Sequence, residues 1–276
     1  PGVIAGGISQ INMLVDTILA SFLSTGSPSW LYVSDRLMQL PLGIFAIAIG
    51  TVILPRLSSL FVEENKEAFS NTLDWSIKLI LIIGFPAVIG LVLLSESIIL
   101  ALFERGAFTS ADSLQASYSL VALAFGLVAF MLIKILTPSF FARQEPKKPM
   151  YVALFSLLLN AILAWQLAFN LGLGHVGLAV ASSLSAFFTV FTLLILLRKE
   201  KVYDPADGWL IFWVKLIFAS SSLLLFLLFF KQDPSSLREL NNIGQLLYIF
   251  KMVILGMALY LLALRLTGMR IKDFLT

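Results

Sequence analysis

The 276-residue chain contains no cysteine. No disulfide framework, thiolate metal site or cysteine nucleophile can be built from it. It has one histidine, His175, in a glycine-rich stretch, which excludes a multi-histidine metal centre and a histidine-based catalytic relay. Charge is scarce: only 13% of residues are charged, against about 25% in a soluble domain. No P-loop, no Gly-x-Ser-x-Gly elbow and no paired catalytic carboxylates occur. Met is missing from position 1, and Pro1–Gly7 has no basic segment of the kind that opens a signal peptide. The chain reads as a piece of a longer protein that starts at the head of a helix.

What is present is apolar. Hydrophobic residues make up 59% of the chain and 23 residues are Phe, with a mean hydropathy of +0.96. This composition predicts an all-α integral membrane protein. The net charge of +3 follows from basic loops at one membrane face and does not signal nucleic-acid binding.

A helix needs about 20 apolar residues to cross the hydrocarbon core. The sequence predicts about eight such spans: Val3–Ser24, Trp30–Leu54, Leu73–Leu94, Leu114–Thr137, Met150–Asn170, Val176–Leu197, Trp209–Phe230 and Ile243–Leu266. Pro41 and Pro86 fall inside spans and predict kinks. Ten basic loop residues (Arg56, Lys66, Arg143, Lys147, Lys148, Arg198, Lys199, Lys201, Arg270, Lys272) alternate with three (Arg105, Lys231, Arg238). That asymmetry puts the N-terminus, the Arg143–Lys148 loop and the C-terminus in the cytoplasm. Glu63–Asp74 reads as a polar cytoplasmic connector, with Leu57, Phe61, Phe69 and Leu73 available to lay part of it along the membrane surface.

The first two spans form a charged hairpin. Asp16 and Arg36 lie about ten residues either side of Ser27, roughly 15 Å from the turn and near the bilayer midplane. Placing either charge there costs about 2.5–3.5 kcal/mol on insertion scales. Tyr32, Arg36, Gln39 and Gly43 share one helical face, with Asp35 beside Arg36; Ser9, Asn12, Asp16 and Ala20 share another. Two readings stay open. Asp16 and Arg36 form a structural ion pair, or Arg36 lines a watery cavity as an anion site whose planar fork suits phosphate oxygens, with Asp16 tuning it or holding a coupling cation.

Other polar positions carry plainer readings. Lys134 and Lys215 sit near span ends, where snorkelling is the default; Lys251 lies deeper. Asn160 reads as helix–helix glue, and Ser182, Ser183 and Ser185 among small residues give the sixth span a close-packing face. A membrane enzyme predicts clustered His, Asp or Glu at a membrane face, or a metal requirement, whereas the single histidine here falls in a loop.

Three motifs then carry a family resemblance. The hairpin segments Ser9–Asp16, Ala20–Gly43 and Gly50–Ser58, the run Phe-Glu-Arg-Gly-Ala-Phe-Thr at Phe103–Thr109, and Leu136–Pro149 closely resemble the lipid II flippase family (MurJ, MviN) of bacterial cell-wall synthesis. The resemblance implies a multidrug/oligosaccharidyl-lipid/polysaccharide exporter fold of fourteen helices, of which this chain looks like helices seven to fourteen. Residues 1–200 are then the second six-helix lobe, and residues 201–276 are two additional helices forming a groove for the polyprenyl tail.

The resemblance further implies a transporter and not an enzyme, multi-pass in the bacterial inner membrane, acting by alternating access on lipid II with the missing N-terminal lobe and membrane lipids as partners. Arg36 matches the family's cavity arginine and Asp35 beside it matches too; Gln39 and Tyr32, on the helical face of Arg36, complete the expected substrate-binding set. Asp16 matches a position that helps bind sodium in some members, with Asn160 as a second ligand and Ala164 where a further carboxylate could stand. No cofactor is implied beyond a coupling sodium ion or proton and the membrane potential. A related exporter for another polyprenyl-linked glycan, such as an O-antigen unit, or for drugs is the alternative.

Overall fold

The structure, a computed structural model, describes residues 2–269. The side chain of Ser9 and the basic residues Arg270 and Lys272 lie outside the described residues. The secondary structure described is helical throughout. Seven helices are long and apolar enough to cross a membrane, and α1 (Gly2–Ser21) is the eighth of the expected spans.

Helix α1 turns back at Gly26, whose φ of 101° is a left-handed value. A Cβ there would also stand 2.6 Å from the Trp30 ring, so only glycine fits. Helix α2 (Ser27–Pro41) starts with Pro28 in its first turn, where a missing N–H costs nothing. At Pro41 the backbone leaves α geometry: Leu42–Ile47 is π-helical before α3 (Ala48–Val62) resumes. Pro41 cannot donate to the preceding turn, and the wider coil accommodates its ring. The expected kink thus takes the form of a π segment inside one 36-residue helix. Pro86 lies within α4 (Lys66–Leu93), which stays α-helical throughout.

The expected polar connector is shorter than its composition suggested. Only Glu63–Asn65 leaves the helix. Glu64 has φ 55°, and Asn65 caps α4 by accepting from the Ala68 N–H at 3.0 Å. Leu57, Phe69 and Leu73 are buried in the core and do not lie on the membrane surface; Phe61 alone of the four is exposed. Tertiary packing has claimed the amphipathic pattern.

Short α5 (Ser95–Phe103) leads to α6 (Ser110–Ala142), the most buried of the long helices. Thr109 and Asp112 form a capping box at its start. At 33 residues α6 is roughly 50 Å long, and it packs against α2, α3, α4, α5 and α8 (Gly174–Lys199). Gly126 makes the α6–α8 approach possible: a Cβ there would fall 2.8 Å from Ser183 Cα. Ser183 also donates to the Ala122 carbonyl at 2.7 Å. This is the close packing of small residues that the serine-rich face predicted. Helix α7 (Lys147–Trp165) ends in a π-helical Gln166–Asn170 and packs on α8 and α1.

Helices α9 (Trp209–Phe230) and α11 (Asn242–Leu266) pack on each other and reach the bundle through α4 and α5. The attachment is polar at both ends. Asp74, only 3% exposed, accepts from Tyr203 Oη at 2.9 Å, Trp209 Nε1 at 2.8 Å and Lys78 Nζ at 2.6 Å. At the opposite end Arg238, on short α10 (Pro234–Arg238), bridges to Glu104 at 2.9 Å and Glu96 at 3.3 Å.

Candidate functional site

A cavity of about 1130 Å³ opens among α1, α2, α6, α7 and α8. Its polar lining includes Asn12 and Asp16 from α1, Tyr32, Asp35 and Gln39 from α2, Lys134 and Thr137 from α6, and Ser182 and Ser185 from α8.

Asp16 is held on the α8 side. Ser182 Oγ donates to its Oδ2 at 2.9 Å. Asn160, fully buried on α7, is oriented by its partners: its nitrogen donates to Asp16 Oδ1 at 3.2 Å and Asn12 Oδ1 at 3.1 Å, and its oxygen accepts from the Ser182 N–H at 3.2 Å. Thus α1, α7 and α8 meet at one buried polar junction. Ser156 and Thr189 extend it along the α7–α8 seam, hydrogen bonded at 2.8 Å. Asp16 and Asn160 come together as the sequence reading required; Ser182, read there only as a packing residue, is the third member.

On α2 the cavity wall is Tyr32, Asp35 and Gln39, and Gln39 donates to Asp35. Arg36 is exposed, and its guanidinium stands 4.8 Å over the Tyr32 ring. It therefore sits at the cavity rim and outside the wall. Among the described residues no ion pair involves Arg36, and Asp16 takes its hydrogen bonds from Ser182 and Asn160. The structural Asp16–Arg36 pair is not formed among the described residues: Tyr32, Asp35, Gln39 and Gly43 line the cavity, while the Arg36 guanidinium lies over the Tyr32 ring.

Lys134, expected to snorkel, is exposed and also lines the cavity. Its position within the helix signalled only nearness to a span end, not the side it faces. Lys215 borders a second, smaller cavity. Lys251 is exposed on α11. Among the described residues no three His, Cys, Asp or Glu side chains cluster as metal ligands. At the Asp16 junction the carboxylate is the sole ionisable group, and Ala164, buried nearby on α7, adds no oxygen.

The hairpin is fastened to the bundle at the end opposite the basic loops. Trp30 Nε1 donates to Asp112 Oδ1 at 2.8 Å, and Ser34 Oγ to the Ala116 carbonyl at 2.7 Å. The Trp30 ring lies 4.7 Å from that of His175, whose Nε2 is 3.1 Å from the Gln115 carbonyl. At the basic end Glu200 pairs with Arg143 and Lys148, both at 2.6 Å, and so ties the α6–α7 turn to α8.

The three sequence motifs map onto this frame. The hairpin motif supplies the cavity wall, Phe103–Thr109 supplies Glu104 and the α6 cap, and Leu136–Pro149 supplies the ionic clasp.

Comparison with known proteins matches residues 1–240 to the family described as lipid II flippase MurJ. A probable lipid II flippase MurJ of Vibrio cholerae serotype O1 is 41% identical, over 99% of this chain and 52% of its own length. One from Haemophilus influenzae is 37% identical, over 100% of this chain and 55% of its own length. Among solved structures, lipid II flippase MurJ in an inward closed conformation superposes with a TM-score of 0.76 at 29% identity, covering 94% of this chain and 51% of that one. A multidrug resistance MATE family transporter of the MOP superfamily, facing outward, matches with a TM-score of 0.64 at 18% identity, covering 96% of this chain and 62% of that one; it shares the fold alone. The chain spans about half the length of the curated relatives it matches. Helical architecture, ordered motifs and matched relatives together establish that the chain belongs to the lipid II flippase MurJ family.

Proposed function

We propose that this chain is the second lobe, with two additional helices, of a flippase that carries lipid II across the bacterial inner membrane by alternating access. The observation that carries the proposal is the polar cavity among α1, α2, α6, α7 and α8, in a chain whose relatives are named lipid II flippases. Lipid II bears a pyrophosphate head group on a long polyprenyl tail. An ionised head group cannot shed its hydration into bare hydrocarbon, so it needs a polar, water-filled route with lateral access for the tail. No covalent step is required.

Arg36, at the rim and free of any carboxylate partner among the described residues, presents a planar fork suited to phosphate oxygens. Tyr32 holds that fork from below, while Asp35 and Gln39 offer acceptors and donors to sugar hydroxyls. Lys134 adds a cation in the wall itself. The Asp16–Asn160–Ser182 junction is the place for a coupling cation or proton. With one carboxylate facing amide and hydroxyl donors, its electrostatic balance changes by a full charge on protonation or ion release. The groove between α9 and α11 receives the tail. The missing lobe closes the cavity from the side of α1 and α2, and rocking of the two lobes exposes it alternately.

Relatives named for lipid II favour a peptidoglycan precursor over another polyprenyl glycan or a drug. The test is rescue of a bacterium depleted of its own lipid II flippase by the full-length protein, with membrane levels measured. Wild type rescues, Arg36→Ala does not at equal abundance, and Arg36→Lys rescues partially, because it keeps the charge and loses the fork. Rescue by Arg36→Ala equal to wild type removes Arg36 from the substrate path. Failure of well-expressed wild type removes lipid II as the cargo.

A further inference from the structure

Helix α6 puts two polar side chains into the wall of the large cavity, Lys134 and Thr137. They stand three residues apart, on one face of the helix. Among the described residues that line the cavity, Lys134 is the single lysine or arginine. It is exposed, and no carboxylate lies within 4.0 Å of it among the described residues. An ammonium that faces a cavity within a membrane span, with no protein charge to balance it, marks a substrate path.

Thr137 is a second, independent sign. Threonines inside other long helices return their hydroxyls to a carbonyl of the preceding turn: Thr17 to Met13, Thr72 to Ala68, Thr189 to Ser185 and Thr192 to Phe188. Thr137 makes no such bond, nor any other among the described residues, although it is half-buried. Its hydroxyl is left to the cavity, one turn from the Lys134 ammonium.

The level of this pair is fixed by the backbone. Pro138 has no N–H, so the Lys134 carbonyl lacks the partner four residues on that a helix normally gives it. Helix α3 closes on that carbonyl at Gly50, where a Cβ would fall 2.7 Å from the oxygen. Near the other end of the same long helix, Ser34 bonds to the Ala116 carbonyl, so α2–α3 and α6 run side by side in one direction. Arg36 precedes Gly50 by 14 residues, about 20 Å along the axis. The pair therefore stands about 20 Å nearer than Arg36 to the face with the basic loops. A pyrophosphate is far shorter than that separation and cannot touch both cations at once.

We propose that Lys134 and Thr137 form a loading station that holds the pyrophosphate of the cargo while the cavity is open to the cytoplasm, before Arg36 takes it over. This inference rests on the lipid II reading above. The phosphates join the sugar to the tail, so they enter at membrane depth, where the pair stands. Lys134 gives them a charged donor and Thr137 a neutral one. Carboxylates of the attached muropeptide offer similar anionic oxygens, and the test separates the two sources.

The test uses the full-length protein in mild detergent, with bound ligand counted by native mass spectrometry. Two probes are titrated: lipid II, and undecaprenyl pyrophosphate, which lacks sugar and peptide. Wild type binds both. Affinity for each falls about tenfold in Lys134→Gln and about threefold in Thr137→Val, the sizes expected for a charged and a neutral donor. Lys134→Arg, which keeps the charge, retains most of the binding, and Lys251→Gln, which removes an exposed lysine on α11, changes nothing. Equal melting temperatures show that the variants are folded; if Lys134→Gln does not accumulate, Thr137→Val decides. Unchanged affinity for both probes in the folded variants overturns the station and leaves the lipid II reading standing. A loss confined to lipid II overturns the pyrophosphate assignment and moves the contact to the muropeptide. Wild type that binds neither probe overturns the lipid II reading, and the station with it.

Discussion

Removing the Asp74 carboxylate should loosen the attachment of α9 to the bundle more than any other single change at that seam. In Asp74→Ala three donors lose their acceptor at once: the Lys78 ammonium, the Tyr203 hydroxyl and the Trp209 indole. Breaking a buried ion pair from one side costs about 3–5 kcal/mol, and each stranded neutral donor costs about 1–3 kcal/mol. The adjoining cavity lets water reach Lys78 and relieves part of the ion-pair loss, which brings the total below the sum of those ranges, to about 4 kcal/mol. Opening of the segment between α8 and α9 then becomes roughly a thousandfold more populated. Trypsin cutting after Lys199 and Lys201, measured on the full-length protein in detergent, should accelerate by up to that factor when opening is fast relative to cleavage. Asp74→Asn keeps an acceptor for Tyr203 and Trp209 and should lose about half as much. Lys78→Met added to Asp74→Ala should cost less than the sum of the two single changes by about 1–3 kcal/mol, because the stranded ammonium is gone. Cleavage of Asp74→Ala at the wild-type rate, with an unchanged melting temperature, would refute the assignment of this cluster as the anchor.

Three further outcomes follow from other contacts. Gly126→Val places side-chain atoms against the Ser183 backbone and should destabilise by about 3 kcal/mol or more, read as a lower melting temperature and reduced membrane abundance; Gly126→Ala should show the same effect more weakly. Burial alone raises the Glu200 carboxyl, but hydrogen bonds and charges from Lys148 and Arg143 outweigh it and hold the group below the usual glutamate range. The clasp's contribution is therefore complete above the unfolded value of about 4.3 and is lost as pH falls through the lower folded value; hydrogen exchange of the Arg143–Lys148 turn should be flat at neutral pH, should rise in acid, and should lose that dependence in Glu200→Gln. Arg238→Ala removes both carboxylate contacts of α10 and should raise exchange around Pro234–Arg238 by a few-fold, the size of a part-exposed pair, while leaving the α6–α8 contact protected.

How much of this was legible in the chain differs by element. Uninterrupted apolar length located eight helices, because lipid imposes that length on any span. Asp16 was legible for the same reason: a mid-span charge is too costly to be incidental. Of the face read on α2, Tyr32, Gln39 and Gly43 line the cavity, while Arg36 does not and Asp35 stands in the wall instead. Spacing through Arg36 and spacing through Asp35 differ by only about 100° around the helix, and packing against α6 through Ser34 selects the second. Asp74 was hidden because its partners Tyr203 and Trp209 stand about 130 residues further along the sequence, so a buried anchor looked like part of a solvated connector. Lys134 and Lys215 were read by distance from a span end, which reports depth but not direction, so the cavities that each of them borders were not legible.

The two polar anchors of α9 and α11 have a mechanical consequence. One fastening, at Asp74, lies at the basic face; the other, at Arg238, lies at the opposite face. A pair of rods pinned at one end can swing, whereas a pair pinned at both ends moves only with what it is pinned to. Tyr260, donating to the Ile82 carbonyl at 2.7 Å, adds a third pin along their length. Any tilt of α4 is thus carried over to α9 and α11, and the two move with it as one unit and keep their own packing.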